Sequence, residues 1–157
     1  MEPNLPIAYQ VSALNDLIRI NYDRITGYTK KIETILDDDL ENLFSDFIYQ
    51  SHQNIEELTR YIHKLGGKLT IGSALSGKFY QAWINLTSSI YKQTRQTLLD
   101  YCEYCEDVSK SAYQKAFDDN EVHWDKKETV ILKRHLNDLK NSYMQIKRLK
   151  GNALKVS

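Results

Sequence analysis

The stretch from Leu65-Gly66-Gly67 through Gly72-Ser73 and Ser76-Gly77 to Ala82-Trp83 constrains this chain more than any other part of it. It contains four of the six glycines and separates two pairs of long segments with helical periodicity. Both prolines, Pro3 and Pro6, come before the first of these segments. A chain that gathers its glycine in one place and has no later proline can run in long, unbroken helices.

The periodicity predicts a first helix over 12–36, with Leu14, Ile18, Ile25, Ile32 and Leu36 on one stripe. A second helix is predicted from Asp38 to Leu65, with Leu40, Phe44, Phe47, Ile55, Leu58 and Ile62 inward. Asp38 with Glu41 fits a capping box, and the helix dipole favours the acidic run Asp37-Asp38-Asp39 at that end. Gly66 is a natural left-handed stop. A third helix is predicted over 94–117 and a fourth over 125–150, opened by Asp125 with Glu128. Residues 1–11 read as an N-terminal extension and 151–157 as a frayed tail. Within the crossing, a short helix over 77–91 places Phe79, Trp83, Leu86 and Ile90 on one face, expected to dock on the rest.

Short connections make helices 1 and 2 antiparallel neighbours, and likewise helices 3 and 4. The long middle connection lets helix 3 run parallel to helix 2. The expected fold is therefore all-α, a single-domain ferritin-like four-helix bundle with a long crossover between helices 2 and 3.

At 157 residues the chain can bury a substantial core. Its 21 basic and 21 acidic residues cancel, so no global field draws it to nucleic acid or anionic lipid, and neither is expected as a partner. The start of the chain lacks the pattern of a signal peptide and no apolar run is long enough to span a bilayer, so a cytoplasmic protein is expected.

Particular residues carry a family likeness. Leu14-Asn15-Asp16-Leu17-Ile18 and Gly27-Tyr28 lie in helix 1, and Glu57-Leu58 with Leu65-Gly66-Gly67 in helix 2. Gly72-Ser73, Gly77 and Ala82-Trp83 follow in the crossover, then Glu106-Asp107 and Tyr113 in helix 3. In these the chain resembles a bacterial ferritin-like four-helix-bundle family whose function is unknown. The likeness covers about 14–149. It implies the fold and a bacterial source, and brings no established reaction.

Dinuclear ferritin-like enzymes take a Glu from each of two helices and Glu-x-x-His from each of the others. This sequence has no Glu-x-x-His: Tyr49, Arg60, Asn120 and Leu132 stand three before the four histidines. The stripes instead predict a structural polar layer of Asn21, Ser51, Asn54, Cys105, Ser109, His135 and Tyr143. Asp23 points away on this reading and Glu106 lies on the flank. A reduced metal site would have to draw on His135 with Glu106 and Asp138 or His52. His135 is expected as a core histidine bonded to Tyr143 or Asn54.

Other motifs carry less. Cys102 and Cys105 form C-x-x-C in mid-helix, away from the N-terminus that activates such thiols, and read as packing groups. Gly72 to Lys78 matches the first seven positions of a P-loop, but Phe79 stands where Ser or Thr must reach magnesium. Six cations between Lys133 and Lys150 read as a solvated face. The expectation is a non-enzymatic binding or assembly protein without cofactor or intact di-metal centre, a homo-oligomer with a dimer favoured. Analogy with ferritin-like proteins adds a stress-related setting. The alternative is a metal-binding oxidase or metal-storage bundle with an atypical site.

Overall fold

The computed structural model describes residues 5–33, 35, 37–70 and 94–156, with side chains as far as residue 152. Among these residues four helices follow in order: α1 Leu5–Ile32, α2 Asp38–Lys64, α3 Arg95–Asp118 and α4 Lys126–Val156. The described residues contain no strand. The crossover helix expected over 77–91, its face Phe79, Trp83, Leu86 and Ile90, and the P-loop-like segment lie outside the described residues.

Side-chain contacts fix the topology. Arg24 meets Gln50 while Asn15 meets Lys68, so α1 and α2 are antiparallel. Tyr28 faces Tyr101 while Asn21 reaches Tyr113, so α3 also runs against α1 and is parallel to α2. Tyr113 meets His135 and Lys150 meets Asp100, which sets α4 against α3. The order is up-down-down-up, as the long crossing requires. Leu14, Leu17, Ile18, Phe44, Leu58, Leu99 and Ile146 are among the side chains that fill the interior. Each contributes about 1.5–3 kcal/mol by burial. Among the described residues no helix is long and apolar enough to cross a membrane.

The helix ends show which local signals prevail. Gly66 has φ +73°, and its N–H donates to His63 while that of Gly67 donates to Ile62, a Schellman stop. Gly67 lies against α1: a Cβ there would come within 2.5 Å of Val11 Cγ2. Asp125 and Glu128 cap α4 reciprocally, each backbone N–H bonding to the other's carboxylate. Thr94 caps α3 through the N–H of Thr97.

One cap and three helix ends differ from the sequence reading, the first helix stopping at Ile32 ahead of the expected 36. The capping box expected at Asp38 is absent: Asp37 is the N-cap and its side chain makes no capping bond. Asp37 and Asp39 instead hold Arg95 at the start of α3, at 2.7 and 2.5 Å, where a guanidinium competes better than a backbone N–H. The first helix starts at Leu5, because Pro6 falls in the first turn, whose N–H groups need no intrahelical partner. The fourth continues through Gly151 to Val156, since one glycine weakens a helix without ending it.

Candidate functional site

The centre of the bundle is polar, and it is built around an arginine. Arg24 comes from the middle of α1 and its side chain is wholly buried. Its Nε and Nη2 donate to the two oxygens of Glu106 on α3, at 2.9 and 2.5 Å. Nη1 faces α2, where Gln50 Oε1 lies at 2.7 Å, Ser51 Oγ at 3.0 Å and the Phe47 carbonyl at 3.3 Å. Nη2 also faces Ser142 Oγ of α4 at 3.5 Å. The guanidinium therefore reaches all four helices, and its carbon sits 4.8 Å from the Phe47 ring centroid. Its fork of five N–H donors is matched to acceptors all round.

Glu106 is equally buried. Oε1 accepts from Arg24, and Oε2 accepts from both Arg24 and the Tyr28 hydroxyl at 2.9 Å. Burial works against the charge on Arg24, and Glu106 outweighs it, so the guanidinium titrates above its ordinary range. Burial, reinforced by the Glu106 carboxylate, pushes the Tyr28 phenol well up and keeps it a donor. Tyr28 in turn is wedged between Phe44 and Phe47, with ring centroids at 4.8 and 5.3 Å.

One layer below runs a chain of hydrogen bonds. Asn54 donates to Asn21 at 3.3 Å, and Asn21 donates to the Tyr113 hydroxyl at 3.0 Å. The Tyr113 hydroxyl in turn donates to His135 Nδ1, 2.9 Å away, in the tautomer that leaves Nε2 its proton for Glu57. Nε2 of His135 then carries the ring proton and donates to Glu57 Oε1 at 3.3 Å. Arg134 closes the chain on the other Glu57 oxygen. The network assigns His135 as neutral, and burial correspondingly lowers its pKa, against the pull of Glu57.

The layer departs from the sequence reading at several residues. Asp23 is buried, and Glu106, wholly buried, pairs with Arg24 instead of lying on the flank. Tyr143 is half-buried beneath Lys110, 4.1 Å from its ring, and Ser142 takes the inward position. The partners of His135 are Tyr113 and Glu57 in place of Tyr143 or Asn54. Asn21, Ser51, Asn54, Cys105 and Ser109 are buried. Arg24 and the equally buried Lys31 were missed. Both are charged residues beside an apolar stripe, which periodicity assigns to solvent. Burial lowers Lys31 to about 8.

The four residues from which a reduced metal site would draw are not gathered. His52 is exposed, Asp138 half-buried, and Glu106 and His135 belong to different layers. Among the described residues no group of three or more His, Cys, Asp or Glu side chains could hold a metal ion. Cys102 and Cys105 are buried free thiols, both pushed up by burial.

A family model described as a domain of unknown function, DUF2383, matches residues 10–119. The chain belongs to the DUF2383 family. Its matched region covers most of α1 and all of α2 and α3, and so includes both Arg24 and Glu106. Among solved structures it is similar to one described as ferritin-like, diiron-carboxylate proteins from Bacillus anthracis str. Ames. The two share 19% identity, with a TM-score of 0.69 over 96% of this chain and 99% of the other. At that identity the likeness shows a ferritin-like fold. A comparison with curated proteins finds no match.

That likeness raises the question whether a di-metal centre fits here, and the donor set answers it. A dinuclear site needs several carboxylates with free lone pairs directed at one volume. Here both oxygens of Glu106 are taken by Arg24 and Tyr28, and those of Glu57 by Arg134 and His135. The central cation is the protein's own guanidinium. A di-metal centre does not fit this arrangement.

Proposed function

We propose that this DUF2383 protein is a non-enzymatic ferritin-like binding or assembly protein whose centre is closed by an internal ion pair. The observation that supports the reading is the Arg24–Glu106 pair, buried and fully hydrogen-bonded where the helices converge. A bundle sealed in this way offers its outer faces for function. The protein acts as a homo-oligomer, with a dimer favoured, in the cytoplasm of a bacterium and in a stress-related setting.

The alternative is a metal-binding oxidase or metal-storage protein with an atypical site. It is favoured by the likeness to the Bacillus anthracis structure, which is described as diiron-carboxylate. Sedimentation of the purified chain, with and without chelator, separates the two readings when combined with oxygen consumption on adding ferrous iron. An oligomeric mass indifferent to chelator, with no iron-dependent oxygen uptake, is expected. A monomer would remove the assembly part. Iron-dependent uptake that disappears in Glu106→Gln would replace the reading with its alternative.

A further inference from the structure

The charge of this neutral chain is unevenly divided. The α4 sequence, Lys126–Val156, contains nine lysines and arginines against two carboxylates. One of those carboxylates, Glu128, is buried in the cap, and the other, Asp138, is half-buried. The outward ridge of α4, at helical spacing, reads Lys126, Val130, Lys133, Asn137, Lys140 and Met144, all exposed. Val130 and Met144 are 64% and 48% exposed, two of the few large apolar side chains left open to solvent.

Fold stability does not account for this ridge. Lys126 and Lys127 stand in the first turn, where the helix dipole disfavours cations. No ion pair within the described residues engages Lys133 or Lys140, whereas Arg134 and Lys150 are taken by Glu57, Asp100 and Glu103. Beside the ridge, α3 and α4 leave a groove of about 650 Å³, floored by Phe117 and Leu136 and rimmed by Lys133, Arg134 and Lys140. Among the described residues no carboxylate lines it.

We infer that this face of α4, with its groove against α3, docks an acidic amphipathic helix of another protein. The inference rests on the binding reading above and names its surface. A second copy does not fit in a two-fold pairing, because an isologous contact would set cations against cations. A phosphate backbone gains nothing from Val130, Met144 or the Phe117 floor. A bilayer surface does not fill a groove, and the ridge lacks the Trp, Phe and Leu of interfacial helices. A helix with carboxylates flanking an apolar stripe satisfies both the charge and the concavity.

The test is fluorescence anisotropy of the full chain with a labelled synthetic helix bearing glutamates beside a leucine stripe. Its lysine counterpart, single-stranded DNA and phosphatidylserine vesicles are run in parallel. Saturable binding of the acidic helix alone is expected. Lys133→Glu combined with Lys140→Glu should weaken it by about tenfold or more, with the solution mass unchanged. Val130→Ser should weaken it too, since charge alone does not seat a helix. Equal binding of DNA or vesicles by the parent would overturn the inference, as would acidic-helix binding that these variants leave intact. A parent that remains oligomeric but ignores the acidic helix overturns this inference and leaves the assembly reading standing. A charge-reversed variant that falls to monomer assigns the face to self-assembly and overturns it as well.

Discussion

Replacing Arg24 with Met keeps most of the side chain's volume and removes its charge. Glu106 then stays buried with only the Tyr28 hydroxyl on it, and Gln50 and Ser51 lose the donor between them. Stranding one member of a buried pair typically costs about 3–5 kcal/mol. The total stability of a domain is about 5–15 kcal/mol, so Arg24→Met should lose a large share of it. In a chain of this length each kcal/mol moves the thermal midpoint by about 2–4 °C, so a fall of roughly 6–20 °C is expected. Glu106→Leu should cost a similar amount. The double variant Arg24→Met/Glu106→Leu should lie well above the sum of the singles, because no buried charge remains. Urea unfolding of the four proteins, monitored by circular dichroism, gives the coupling directly. Additive losses, or an Arg24→Met midpoint equal to the parent's, would refute the claim that this pair closes the bundle.

Cys102 and Cys105 should react slowly with thiol reagents in the folded protein, since both are fully buried and burial raises their pKa; labelling as fast as in the denatured chain would contradict this. Gly67→Ala should destabilise by about 1–3 kcal/mol through its clash with Val11, and Val11→Ala should recover most of the loss. The folded pKa of His135 is depressed, so the unfolded chain binds that proton first and stability falls as pH drops below about 6.5. His135→Gln should flatten the stability profile there, and a profile as steep as the parent's would place the dependence on another group.

The fold was legible because its signals were local. Glycine gathered at 66–77, apolar stripes on either side, and the Asp125–Glu128 cap all specify helices and their order without tertiary information. The left-handed stop at Gly66 was equally local. The polar layer was legible only where a small or amide side chain interrupted a stripe, as at Asn21, Ser51 and Asn54. Arg24 and Glu106 each lie beside a stripe, and each becomes buried only because the other does. Their pairing spans 82 positions, and periodicity within one helix contains no signal of it. The same limit applied at Asp37 and Asp39: a capping pattern was present, but Arg95 from another helix claimed the carboxylates.

A guanidinium stands in this bundle as the central cation. Elemental analysis of protein purified without chelator decides whether a metal ion shares that place. No stoichiometric iron, manganese or zinc is expected. One or two metal ions per chain, lost when Glu106 or His135 is replaced, would contradict it.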